Sequence, residues 1–425
     1  MKKLTYTKIN KKETKLKGLY LFLILTINFT LLLNFLGEIF NGIFQIGFTD
    51  ELAILFTYFL GFILLFAKKK IIIYQPEFII IGAILSLVYL LFYYNTFISF
   101  FYEYYKLFVF AAFIPLMSSI NYNNFKKILT VLKKLFIGVL GLNLLFIILQ
   151  IVTNNQVLAW VGYSELRVSG WEKVGRYTGL FDVGTLGATA LMMLIINELS
   201  EKKDKAYFIL IGLSVISILA SSSKTSYIIF FVWILIYFRK YLIKYILKIT
   251  LGIILFLSIV IPYTYEAILS KIKQYAYFIE MLDMPHLINL GVVEMRAMFW
   301  AQAIHIFKNN PFGLGFGTFG DASSKYNPEA YKMSAKLWPE RYVYLSDSSL
   351  AHLIAEQGVI TFIYLFLISV PFFKAKKWSH LGWMMLVFYL IQIPFTMGFS
   401  AGTWPFLFAL GYAIIYYENK FKKYD

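Results

Sequence analysis

Apolar runs of about twenty residues, separated by short lysine-rich segments, recur along nearly the whole chain, and few folds accept that pattern. A helix rises 1.5 Å per residue, so about twenty residues cross the roughly 30 Å of hydrocarbon in a bilayer. The runs lie at 18–38, 52–67, 75–95, 100–119, 133–152, 178–198, 206–222, 225–239, 248–266, 348–372, 380–398 and 403–417. They predict an all-α integral membrane protein of about twelve transmembrane helices forming one polytopic membrane domain over 1–425. Of the 425 residues, 60% are hydrophobic and 15% are charged. A soluble globular protein is about 45–50% apolar, and the excess excludes a soluble enzyme. The first run is too long for a signal-peptide core and lacks a small-residue cleavage site, so it reads as a retained span.

The net charge of +17 would suggest nucleic acid if the cations lay on a soluble face. They gather instead at the ends of apolar runs, where they set orientation and meet anionic lipid headgroups. With the lysine-rich head inside, the clusters Lys68-Lys69-Lys70, Lys126-Lys127, Lys202-Lys203, Arg239-Lys240, Lys374 to Lys377 and Lys420 to Lys423 all fall on one side. Both termini are therefore expected to be cytoplasmic. The outer side then carries a smaller exofacial loop, 153–177, and a large one, 266–347, between the ninth and tenth spans. A connection longer than about fifteen residues is uncommon unless functional or disordered. The large loop is aromatic, punctuated by Pro and Gly and not of low complexity, so it should be ordered.

Cations should be scarce on the outer face, yet Arg167, Arg176, Lys224, Arg296 and Arg341 all lie there beside span ends. The arginine fork matches phosphate oxygens, so several such residues suit a lipid-linked phosphate or pyrophosphate. The plainer reading is snorkelling or pairing with Glu165, Glu172, Glu294 and Glu340. Lys224 sits in the polar interruption Ser221-Ser222-Ser223-Lys224-Thr225-Ser226 between two apolar runs, where an ionisable group is costly and usually functional. Its small neighbours equally fit a structural helical hairpin.

Asp347 opens the tenth span in Ser346-Asp347-Ser348-Ser349-Leu350. It can cap the first turn of a helix, or act as a general base at the mouth of a membrane cavity. His352 and Glu356 follow on the same run and should face the protein interior. His286 and His305 fall in the large loop, where a surface position is expected. Asn310 to Gly320 contains a G-x-G-x-x-G, but it follows Asn-Pro and no βαβ unit surrounds it. It reads as a compact turn in which glycine lets backbone approach backbone or ligand. Trp171, Tyr177, Trp300, Trp338 and Tyr342 are aromatics that could stack on sugars or form an interfacial belt. Cysteine is absent, and no Walker A, H-E-x-x-H, G-x-S-x-G or EF-hand pattern occurs, so no metal or cofactor is expected.

In order and spacing these pieces resemble the O-antigen polymerase and O-antigen ligase family over roughly residues 170–365. The resemblance rests on Arg176-Tyr177-Thr178-Gly179-Leu180-Phe181, Ser223-Lys224-Thr225, Arg296 followed by Trp300, the Asn-Pro-Phe-Gly-Leu-Gly-Phe-Gly segment, and Ser346-Asp347-Ser348 ahead of Glu356-Gln357-Gly358. It implies a bacterial multi-pass protein of the cytoplasmic (inner) membrane. It also implies a glycosyltransferase whose donor glycan rides on undecaprenyl pyrophosphate and whose products are O-antigen, capsule or exopolysaccharide. A flippase and a chain-length regulator are the partners such a resemblance suggests. In that reading Arg176, Lys224, Arg296 and Arg341 bind the pyrophosphate, and Asp347 and His352 carry the catalysis. Ligases of the family carry His-Asn where this chain has Asp347-Ser348, which favours the polymerase. Lys224 stands where an arginine is usual, and lysine is a point charge without the fork. The alternatives are an O-antigen ligase, a polysaccharide flippase or other transporter, and a peptidoglycan-polymerising glycosyltransferase.

Overall fold

The computed structural model describes residues 21–33, 49–67, 120–161, 177–181, 183–198, 204–245, 295–320, 348–374 and 403–421, with scattered single positions between these segments. Among the described residues every regular element is helical and none is a strand. After an apolar helical stretch at Leu21–Leu33, the helices are α1 Thr49–Ala67, α2 Tyr122–Val152, α3 Gln156–Trp160, α4 Val183–Glu198, α5 Lys205–Ala220, α6 Lys224–Tyr237, α7 Arg239–Lys244, α8 Met295–Asn309, α9 Ser349–Gln357, α10 Ile360–Lys374 and α11 Thr403–Phe421. The run expected at 75–95 lies outside the described residues, and those at 100–119, 248–266 and 380–398 are described only at scattered positions.

The chain divides into two compact units. One comprises Met1–Tyr74, Val109–Phe230 and Gly402–Asp425, and the other comprises Gln75–Phe108 and Phe231–Ala401. In the first, α4 packs against α2, α5 and α11. Every residue from Leu186 to Ile196 is buried, so α4 is apolar on all sides because it is enclosed on all sides. In the second unit α9 packs against both α8 and α10.

α2 has 31 residues and is the one described helix with both the length and the hydropathy of a span. At 1.5 Å per residue it is about 46 Å long, well beyond the hydrocarbon thickness. It starts earlier than the run at 133–152 because Asn121 caps it, its side chain accepting from the Asn124 N–H at 2.9 Å. Lys126 and Lys127, expected in a connection, therefore ride on its first turns. The surface of its second half is inverted relative to a soluble protein. Asn143 and Gln150 are buried, while Leu142, Leu145, Ile148, Leu149, Ile151 and Val152 are exposed. Such a face is stable against hydrocarbon and unstable against water.

The run at 348–372 forms two helices, not one. Gly358, at φ 54° and ψ −131°, ends α9 in a conformation that L side chains avoid, and α10 restarts two residues later. The Thr361 hydroxyl donates to the Leu353 carbonyl at 2.7 Å and clips the start of α10 back onto α9.

Candidate functional site

The Gly-rich turn after α8 is folded onto the end of α9. The Leu314 N–H donates to the Ala355 carbonyl at 3.0 Å, Gly315 N–H to the Glu356 carbonyl at 2.9 Å, and Val359 N–H to the Pro311 carbonyl at 2.8 Å. A Cβ on Gly313 would lie 2.3 Å from the Glu356 backbone, so glycine is required here for backbone to meet backbone. Glu356 is fully buried. Its Oε1 accepts from the N–H groups of Gly317 at 2.8 Å, Thr318 at 3.1 Å and Phe319 at 3.3 Å. Three converging amides form a nest for an anion, and the chain's own carboxylate fills it. The turn is thus a backbone clasp and not an open cradle for a nucleotide phosphate.

His352 lies one turn before Glu356, with Nε2 3.4 Å from Glu356 Oε2. It is buried and meets the Phe319 ring edge to face at 5.9 Å between centroids. Around this pair Ala303, Ile306, Phe319, Ala351, Ile354 and Ala355 form an apolar cluster against which Trp300 and Leu350 pack. Trp300 is therefore a packing residue of α8 here. The turn leaving the end of α8 bonds the end of α9, and Trp300 of α8 and Leu350 of α9 pack against one apolar cluster. Arg296 is the second residue of α8, and Asp347 immediately precedes the cap of α9.

That cap is Ser348, whose hydroxyl accepts from the Ala351 N–H at 3.2 Å. The capping role considered for Asp347 belongs to its neighbour, because Ser348 has the extended backbone (φ −144°) that aims a cap side chain at the first turn. Asp347 itself, Arg341, Arg176 and His286 lie outside the described residues, as do Trp171, Trp338 and Tyr342. Arg296 is placed in its helix, but its side chain is not among those described. His305 belongs to α8, where Asn309 Nδ2 lies 3.1 Å from its Nε2.

Lys224 is exposed at the first residue of α6, at the tip of the three-residue turn from α5. Ser222 turns the chain at φ 49°. Ser223 Oγ accepts from the Ser226 N–H at 3.3 Å, and Tyr227 Oη donates to the Leu219 carbonyl at 2.7 Å. Across from the tip, a Cβ on Gly187 of α4 would lie 2.0 Å from Ser226 Oγ, the close packing expected of small residues in this segment. A lysine at a helix start opposes the macrodipole, so its presence there is not explained by helix stability.

The segment that follows Arg176 is pinned by two residues absent from the sequence-based list. Asn143 donates through Nδ2 to the Thr178 carbonyl at 3.1 Å and accepts through Oδ1 from the Leu180 N–H at 2.8 Å. Gln150 Oε1 accepts from the Gly179 N–H at 2.9 Å, and its Nε2 donates to Asn155 Oδ1 at 2.6 Å. Gly179 adopts φ 65°, and a Cβ there would lie 2.3 Å from Asn143 Oδ1. The signal was present: Asn143 and Gln150 are two polar residues seven apart, on one face of an otherwise apolar run.

Residues 209–366 match the family model described as O-antigen ligase. The match runs from within α5 to within α10 and bears out the resemblance to the O-antigen ligase and polymerase family, whose members are glycosyltransferase-like enzymes acting on lipid-linked glycans. No curated protein and no solved structure matches the chain.

Proposed function

We propose that this chain polymerises polyprenyl-pyrophosphate-linked oligosaccharide repeats into surface polysaccharide on the outer face of the bacterial cytoplasmic membrane. The observation that carries the reading is the O-antigen ligase match over the stretch that includes Lys224, Arg296, the Gly-rich turn and Asp347. An acceptor hydroxyl attacks the anomeric carbon of the donor, the bond to the lipid pyrophosphate breaks, and the pyrophosphate leaves as an anion. Arg176, Lys224, Arg296 and Arg341 neutralise that anion, the electrostatic work that a metal ion does elsewhere. Asp347 takes the proton of the acceptor hydroxyl. His352, buried on α9 beside Glu356, is the second acid–base group. One base and a single displacement give inversion at the anomeric carbon. The Asp-Ser pair at 347–348 favours polymerisation over ligation to a different acceptor.

The test is a surface-glycan assay in a deletion host complemented with wild type, Arg176→Ala, Arg296→Ala or Asp347→Asn, each checked for expression. Loss of long polymer with single repeats still reaching the surface supports the polymerase. Accumulation of lipid-linked repeats on the cytoplasmic face, with nothing outside, refutes it in favour of a transporter.

A further inference from the structure

A carboxylate with no exposed surface inside a chain of this hydropathy needs a physical reason to be kept. Glu356 is not in the set of residues assigned to donor or acceptor, yet its carboxylate holds three backbone amides. One oxygen collects the amides of Gly317, Thr318 and Phe319. The other lies 3.4 Å from His352 Nε2, one helical turn nearer the start of α9. A buried amide or hydroxyl could satisfy one of these partners, but only a carboxylate offers acceptors to both. The backbone contacts of Leu314, Gly315 and Val359 hold the same turn from other directions. The turn is consequently fixed to α9 at its far end while the apolar cluster fixes it along its length.

We propose that Glu356 is a positioning residue of the transfer reaction. Its two oxygens tie the 317–319 turn and His352 together, and so set how α8, which leads into that turn, sits against α9; Arg296 is the second residue of α8 and Asp347 precedes the cap of α9. The inference rests on the glycosyl-transfer reading above and adds to it the element that holds the reacting end in place. A register shift of about 1 Å between two helices is enough to change a rate about 100-fold without abolishing binding.

The experiment uses the full-length chain in lipid vesicles, with lipid-linked repeats extracted from the membranes of a deletion host as the probe. Glu356→Gln keeps the size and an acceptor for the turn but places an NH2 or a neutral oxygen against His352. The expected result is a folded protein whose KM for the repeat stays within about twofold while kcat falls about 10- to 100-fold. His352→Gln, which leaves the bonds to the turn intact, is expected to lose kcat in the same way. The double variant is expected to be no slower than the slower single one, since both act through one contact. Wild-type kcat in a folded Glu356→Gln, a loss confined to KM, or multiplicative losses in the double variant each overturn the proposal. Should Glu356→Gln not fold, His352→Gln alone decides, and unchanged kcat there is refuting. A wild-type chain that transfers nothing from the repeat overturns the glycosyl-transfer reading and this inference with it.

Discussion

Gly358 is the point at which an expected single span divides, and replacing it with alanine gives the sharpest test of the second unit. An alanine Cβ at this position would lie 2.0 Å from the Pro311 carbonyl oxygen and 2.6 Å from the Gly313 nitrogen. Both neighbours are backbone and belong to the turn that the Val359 N–H already bonds, so no rotamer change relieves the clash. Holding a non-glycine residue at φ 54° and ψ −131° costs about 1–3 kcal/mol. Parting the turn from α9 loses the Val359 to Pro311 bond, worth about 1 kcal/mol net. Together these give a destabilisation of about 2–4 kcal/mol, a large share of the roughly 5–15 kcal/mol that holds a typical domain. Thermal unfolding of the detergent-purified chain, followed by tryptophan fluorescence, should show the midpoint lowered by roughly 5–10 °C. A Gly358→Ala protein that melts within a degree of wild type would refute the claim that glycine is required there by contact and conformation.

Asn143→Leu leaves the Thr178 carbonyl and the Leu180 N–H without their partner, and should lower stability by about 2–4 kcal/mol in the same unfolding assay. It should also shorten the surface polymer as Arg176→Ala does, since it frees the segment following that arginine; a variant with wild-type melting and polymer length would show the clamp to be dispensable. Ser348→Ala removes the cap of α9 and should cost about 1 kcal/mol, a few degrees in the midpoint, whereas an unchanged midpoint would mean that Ser348 is not the cap. Glycosyl transfer in vesicles should run at an unchanged rate in excess EDTA. A loss that Mg2+ restores would remove the charge-neutralising role from Arg176, Lys224, Arg296 and Arg341.

Much of the helical architecture could be read from the apolar runs, because a continuous stretch of Leu, Ile and Phe near twenty residues long leaves little choice of conformation. The helices Lys205–Ala220, Lys224–Tyr237 and Thr403–Phe421 start within three residues of the runs that announced them. Hydropathy was a poor guide where a cap or a glycine decides the boundary. Asn121 extends α2 by eleven residues beyond its apolar run, and Gly358 cuts one run into two helices, and neither changes the mean hydropathy much. The Gly-rich segment was legible as a place where backbone comes close to something. What it approaches, the buried Glu356 carboxylate, comes from 37 to 39 residues further along the chain, and spacing alone does not pair them. Asn143 and Gln150 are hard to read from sequence for the converse reason: they are uncharged, lie inside an apolar helical run, and bond the backbone of a segment about thirty residues away.

The turn between Lys205–Ala220 and Lys224–Tyr237 is three residues long, and Tyr227 bonds across it to Leu219. So short a connection gives neither helix the freedom to find its place separately. The tip, with Lys224 on it, is a closed structure in which the Ser221 and Ser223 hydroxyls bond the backbone of the turn. Lengthening this turn would therefore part Tyr227 from Leu219 and carry Lys224 away from the place where Gly187 meets Ser226.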